Sequence, residues 1–466
     1  MLTRVMPQGD EGAAQVARAD GYAAFVRAAD AAYPRPIPNV LEFNAPVHEN
    51  WNIVHTGMLV PECHQIYVCA DNCLRGVVLT AAEMGMSDRF SGVVLEERDL
   101  LCDNLESVTI EGVSDVIRRL PYRPRAVMIF LVCLHHSMGC DVRYVYRELE
   151  RRFPDIFFMR CWMDPIMQKT GITPEQKERK AMLDALQELP MDKRLLGIVS
   201  DDLRLPDDSD IVRLVRRAGW RVLQLHDVGS FDEYLSLGAS ALLLTRSFFG
   251  AWGLEKTADR LGRRWLYLPP ALLYDSIDEG LVILADALGC PAPGTADLRT
   301  SCDVALGALA EELSGTPVAI DYVAINRPLE LARLLLGRGI NVRRVYVDAV
   351  SGEERDTLEW LRACAPDLEL WSTIHPTLRQ ESRDGGDSWL AVGPKAAWFC
   401  GTTHFVNVIE TDGMWGYSAI LGLVRLMREA WAERKDTRGL VPRKGLGMPC
   451  CCQVPSVSRA AGGACA

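Results

Sequence analysis

From about residue 190 onward, short apolar runs alternate with amphipathic stretches. Leu195-Leu196-Gly197-Ile198-Val199 has the length and apolarity of a buried strand, and an acidic turn with Asp201, Asp202, Asp207 and Asp208 follows it. Ser209 to Ala218 then carries its apolar residues at helical spacing. Gly219 stands where a helix takes a left-handed closing residue, and Arg221 to Leu225 resumes as a strand. The alternation continues through a helix (Phe231 to Leu237), a strand (Ala241 to Leu244), a helix (Leu254 to Leu261) and a strand (Trp265 to Leu268). Strands separated by helices require right-handed crossovers, and so predict a parallel sheet covered on both faces.

The same grammar restarts near residue 317. Val318-Ala319-Ile320 reads as a strand, Pro328 to Leu336 as a helix, and Gly337-Arg338-Gly339 as its closing turn. Val342 to Val347, Leu368 to Trp371 and Trp389 to Val392 read as strands, and Tyr417 to Glu433 as a last amphipathic helix. The first 185 residues are less regular, but Ala126 to Leu131 is a clear strand and Val142 to Phe153 a helix after it. The pattern predicts an α/β protein of three tandem Rossmann-like domains with parallel sheets: residues 1-188 with the cysteine cluster, 189-292, and 293-435. Residues 436-466 are rich in Gly, Pro, Ser and Ala without periodicity, which predicts a disordered tail. Its Cys450-Cys451-Cys452 triplet reads as a bystander rather than a metal site, because adjacent cysteines do not easily converge on one tetrahedral ion.

A chain of 466 residues exceeds what one core usually holds. Its net charge of −11, with no long Lys/Arg run, weighs against nucleic acid as a partner. The N-terminal residues lack a signal-peptide layout, and the apolar stretch Ala126 to Leu134 is too short to span a bilayer, so a cytoplasmic location without membrane contact is expected. There is no G-x-x-x-x-G-K-[ST] loop, no G-x-G-x-x-G turn after a first strand, and no G-x-S-x-G elbow. Gly253-Leu254-Glu255-Lys256-Thr257 is a poor echo of a phosphate loop inside a predicted helix.

Fifteen cysteines change the picture. They crowd between Cys63 and Cys140, and none lies between Cys161 and Cys290. Without a sign of export, such clustering suggests a metal centre rather than disulfides. Cys63, Cys69 and Cys73, followed by Arg75-Gly76, supply the thiolates an iron–sulfur cluster needs and a glycine whose neighbourhood can donate amides to cluster sulfurs. Burial of all three as core or turn cysteines is the alternative. Cys133 stands just past the strand Ala126 to Leu131, at the end where parallel sheets bind ligands. His135 and His136 point to different sides and fit hydrogen-bonding roles better than metal ligation. Cys140 heads the next helix, where it serves either as a dipole-stabilised thiolate or in packing.

Several segments together resemble the nitrogenase component 1 superfamily across roughly residues 45 to 430. They are Glu97-Arg98-Asp99-Leu100-Leu101 with Val108 to Leu120; AVMIFLVCLHHSMGCDV from Ala126, where Cys140 replaces an Asp and Asp141 is kept; Leu195 to Pro269 with its RSFFGAW stretch; and THFVNVIETDGMWGYSAI. The resemblance implies an oxidoreductase subunit of unidentified substrate that binds a four-iron, four-sulfur cluster near a subunit interface. Cys73 and Cys133 fall close to the spacing of the family's second and third cysteines. No cysteine precedes Cys63, so Cys69 or Cys63 has to stand in for the first. It further implies a homodimer, or a heterodimer with a related component 1 subunit, and a separate ATP-hydrolysing iron protein as electron donor. The family's iron–molybdenum cofactor is not expected: its cysteine position falls near Thr245-Arg246, and His404 alone, near its histidine, is no site. Catalytic residues are not assignable. Two other functions fit the sequence, a non-catalytic scaffold for metallocofactor assembly and a cluster-free α/β small-molecule binding protein.

Overall fold

A computed structural model describes residues 23–37, 53–101, 104–164, 171–375, 377–378 and 386–436. In chain order the strands are β1 (Phe25–Arg27), β2 (Cys63–Cys69), β3 (Phe90–Val94), β4 (Ala126–Val132), β5 (Phe157–Met163), β6 (Asp192–Ile198), β7 (Arg221–Gln224), β8 (Ser240–Thr245), β9 (Arg264–Tyr267), β10 (Val318–Asp321), β11 (Val342–Tyr346), β12 (Glu369–Trp371), β13 (Leu390–Val392) and β14 (Phe405–Val406). Among the described residues these strands make three sheets and the contacts define two compact units. One holds residues 53–269 and 282–292; the other holds 23–37, 270–281 and 293–436.

The first unit carries two sheets, ordered β3-β2-β4-β5 and β7-β6-β8-β9, and every pairing in both is parallel. All seven residues of β2 and of β4 are buried, as expected for central strands covered on both faces. Alternation along these strands sorts them into two cores. Cys63, Tyr67, Cys69, Met128 and Phe130 face one side, where Tyr67 stacks on its registered partner Phe130 at 4.3 Å. Ile66, Val68, Val127, Ile129 and Leu131 face the other, against the helices Leu105–Arg119 and Val142–Arg152. The helix Pro174–Asp184 contributes Ala181, Met182 and Leu183 to the first core, which continues into Val199 just after β6, Leu243 of β8 and Leu254 of the helix Phe248–Leu261.

The second unit holds one sheet, β1-β12-β11-β10-β13-β14. It is parallel except at one edge, where β1 runs antiparallel to β12 and pairs Phe25 with Trp371. The expectation of purely parallel sheets is corrected here. The N-terminal segment covers an edge strand that would otherwise present unpaired backbone groups, and Phe25 stacks on Trp371 at 4.6 Å. The helix expected over Leu254 to Leu261 begins earlier, at Phe248, because Ser247 accepts a hydrogen bond from the Gly250 amide and caps it there. Cys102 and the Cys450–Cys452 tail lie outside the described residues. No helix among the described residues is long and apolar enough to cross a membrane.

A buried carboxyl makes the second unit sensitive to pH. Glu354 accepts hydrogen bonds from the Leu329 and Glu330 amides at 2.9 and 3.1 Å, at the start of the helix Pro328–Leu336. Burial pushes its carboxyl up to about 8, although the two amides pull the other way. The native state therefore holds a proton that the unfolded chain has released. Its contribution to stability is complete below the ordinary glutamate range and is lost as pH rises towards about 8. We expect the melting temperature of the wild-type chain to fall between pH 5 and pH 9. Glu354→Gln, which keeps the acceptor oxygen, should fall less steeply; identical slopes would show that Glu354 carries no such proton.

Candidate functional site

The first sheet gathers its chemically versatile side chains at the C-terminal ends of β2, β4 and β5. Cys69 is the last residue of β2, and Cys73 lies in the first turn of the helix Asp71–Glu83 that follows. Cys133 opens the short helix Cys133–Ser137 directly after β4, the strand beside β2. Cys69 is buried, Cys133 half-buried and Cys73 exposed. Burial, then the neighbouring Cys73 and Asp71, pushes the Cys69 thiol up to about 12. Cys73 is raised by burial and then by Cys133, so these thiols lie close enough to interact electrostatically.

Cys63 is not part of this group. It is the first residue of β2 and Cys69 the last, and a rise of about 3.3 Å per residue sets them roughly 20 Å apart. Cys63 is buried beside Ala126, and burial raises its thiol to about 12. Its neighbour His64 is equally structural: Nδ1 lies 2.7 Å from Tyr122 Oη and Nε2 2.8 Å from Ser91 Oγ. The Cys140 thiol is pushed up to about 12 by burial and then by Glu106, and the helix Val142–Arg152 is capped by Asp141, which accepts from the Tyr144 amide at 2.9 Å.

The two histidines divide as their neighbours dictate. His135 is buried, with Nδ1 accepting from the Val132 amide at 3.3 Å and Nε2 3.3 Å from Thr109 Oγ1. His136 is 44% exposed, and its Nδ1 lies 2.8 Å from Oδ2 of Asp164, which is 3% exposed. Its ring stacks on Trp162, with centroids 3.8 Å apart and planes within 12°. Lys177 Nζ lies 5.6 Å from the Trp162 ring, and burial holds its ammonium below the ordinary lysine range against the pull of Asp164. Asp164 so placed selects the tautomer with hydrogen on Nδ1 and leaves Nε2 as an acceptor. Among the described residues Nε2 makes no hydrogen bond. Trp162, Asp164 and Lys177 were not legible as site residues. The available signal was the largely apolar stretch Phe157–Met163, which contains Trp162, is interrupted by Arg160 and carries no strand alternation.

An iron–sulfur cluster in this fold would draw on these thiols. The donors of this chain alone do not fit one: Cys63 lies at the opposite end of the strand, and among the described residues no group of three or more His, Cys, Asp or Glu side chains converges as metal ligands do. In the second sheet, Thr245 Oγ1 donates to Asp201 Oδ1 at 3.1 Å, and the Arg246 amide and Nε each bond Asp201 at 2.7 Å. In the other unit His404 Nδ1 lies 3.1 Å from the Ala430 carbonyl.

The sheets place the chain in the α/β class, and its architecture broadly resembles that of nitrogenase component 1. The solved structure "Nitrogenase Cp1 at pH 6.5" shares it with a TM-score of 0.62 at 14% identity, covering 84% of this chain and 95% of that one. "Nitrogenase Cp1 at pH 5" does so with a TM-score of 0.54 at 12% identity, covering 91% and 97%. At such identities the likeness is one of fold. No family model matches the chain, and no curated protein matches it in sequence.

Proposed function

We propose that this chain is an α/β protein that binds a small organic molecule at the C-terminal edge of its first sheet, without an iron–sulfur cluster. The observation that carries this reading is His136, fixed between buried Asp164 and the face of Trp162 with Nε2 left as an acceptor. An aromatic wall with a few fixed polar groups is how small-molecule sites are usually built, and the C-terminal ends of parallel strands are where they occur. Anaerobic purification with iron and sulfide analysis tests the cluster-free part. We expect far less than one iron per chain, whereas about two, half of a four-iron cluster shared by a dimer, would overturn it. Native mass spectrometry tests the binding part: a bound small molecule should be retained by the wild-type chain and lost from Trp162→Ala.

One observation favours a second reading. Cys69, Cys73 and Cys133 share the same edge, so a second component-1-type chain could complete a four-iron, four-sulfur site. The protein would then be a reductase subunit receiving low-potential electrons from a separate ATP-hydrolysing iron protein. Cys133→Ser would abolish a brown chromophore in that case and leave a colourless protein unchanged otherwise.

A further inference from the structure

We propose that Cys73 and Cys133 form a reversible dithiol–disulfide centre at the C-terminal edge of the first sheet, oxidised by low-molecular-weight disulfides. The proposal rests on the cluster-free reading, because both sulfurs must be available to each other.

The backbone brings the two residues together. β2 and β4 are parallel neighbours with Val68 opposite Leu131, and carrying that register on by two residues sets Cys133 against Ala70. Adjacent strands lie about 4.8 Å apart. The Cys73 amide donates to the Ala70 carbonyl at 2.9 Å, which closes the first helical turn on Ala70. A disulfide requires Cα atoms roughly 4.4–6.8 Å apart, which a residue beside Ala70 and one a single turn beyond it can reach with little backbone movement. The electrostatic interaction between the two thiols is in keeping with that placement.

Accessibility and placement together select this pair, since Cys140, also half-buried, lies beyond the helix Cys133–Ser137. Cys73 is exposed and Cys133 half-buried, whereas Cys63, Cys69 and Cys161 are buried. In the first exchange one thiol gives up its proton and its sulfur attacks the external disulfide, expelling one external thiolate. In the second, the other sulfur attacks the mixed disulfide and expels the remaining external thiolate. Both protons pass to the departing thiolates. The balance is two protein thiols and one external disulfide giving one protein disulfide and two external thiols. The oxidised form ties the helix Asp71–Glu83 to the start of the helix Cys133–Ser137, three residues before His136, so the redox state would bear on the aromatic edge.

The test uses the full chain, purified without oxygen, assayed for iron and sulfide, and then exposed to oxidised glutathione. Peptide mapping without reductant should show the Cys73 and Cys133 peptides joined, with a loss of two hydrogens from the intact mass that dithiothreitol reverses. Cys73→Ser and Cys133→Ser should each give a stable glutathione adduct on the remaining cysteine. Free thiols, or separate glutathione adducts at both positions of the wild type, would overturn the proposal, whatever the iron content. Stoichiometric iron in a chain that still forms the cross-link on cluster loss would overturn the cluster-free reading and leave the dithiol centre standing.

Discussion

Replacing Arg179 with methionine should destabilise the first unit by about 3–5 kcal/mol, the cost of removing one partner from a buried ionic network. Arg179 is fully buried. Its guanidinium donates to Glu175 Oε1 at 2.8 Å, to Asp202 Oδ1 and Oδ2 at 2.7 and 2.6 Å, and to the Ser200 carbonyl at 2.5 Å. Methionine fills the volume but leaves two carboxylates facing each other without a cation. Glu178, the preceding residue, provides the contrast. It is fully buried, neither carboxyl oxygen has a hydrogen-bond partner among the described residues, and burial raises its pKa well above the ordinary range. Glu178→Met removes only an unpaired polar group, so stability should be unchanged or higher. Urea unfolding of both variants decides the matter; equal losses, or a loss below about 1 kcal/mol for Arg179→Met, would contradict the network.

A loss of similar size is expected in the other unit from Asp321→Ala. Asp321 is buried at the end of β10 and accepts hydrogen bonds from the Val323, Ala324 and Ala396 amides at 3.0, 2.9 and 2.7 Å. Alanine strands three buried donors, each costing about 1–3 kcal/mol when nothing replaces the acceptor. Asp321→Asn retains one acceptor oxygen and should recover part of the loss. Gly393 has the same origin: at φ 119° its missing Cβ leaves the space that the Asp321 carboxylate occupies. Hydrogen exchange resolved by peptide should show the loss confined to residues around Val318–Ala397. Protection unchanged there in Asp321→Ala would rule out this anchoring role.

Most strands of the second and third sheets were legible because each holds a short apolar run set between helices of clear periodicity. Leu195 to Val199 and Val318 to Ile320 need no distant partner to be recognised. β2 was harder. Its sequence CHQIYVC contains His64 and Gln65, which look like surface residues but are buried because Tyr122, Ser91 and the Val54 carbonyl satisfy them from elsewhere in the chain. Without recognising a strand there, the spacing of Cys63 and Cys69 reads as a ligand pair, when it spans the whole length of the sheet. Cys133 was legible from the rule that a strand's C-terminal end faces ligands. The partners of His136 were not, since Trp162 belongs to β5 and Asp164 follows its last residue, and both reach His136 only through the parallel pairing of β4 with β5. β1 is three residues long and gains its identity entirely from β12.

The position of β1 also imposes an order on assembly. Both sheets of the first unit are written within residues 63–267, so a ribosome completes them as one continuous stretch and they can consolidate during synthesis. β1 leaves the ribosome before any of them, yet it can pair only when residues 369–371 have been made. Until then Phe25, Val26 and Arg27 are a strand without a sheet, held off by a loop that contains an entire folded unit. Among the described residues, closing that loop is the longest-range strand pairing, and joining distant segments is the slow part of folding. The second unit is therefore the last to become resistant to degradation, and its nascent β12 edge is where a chaperone, or an unwanted neighbour, has the most time to bind.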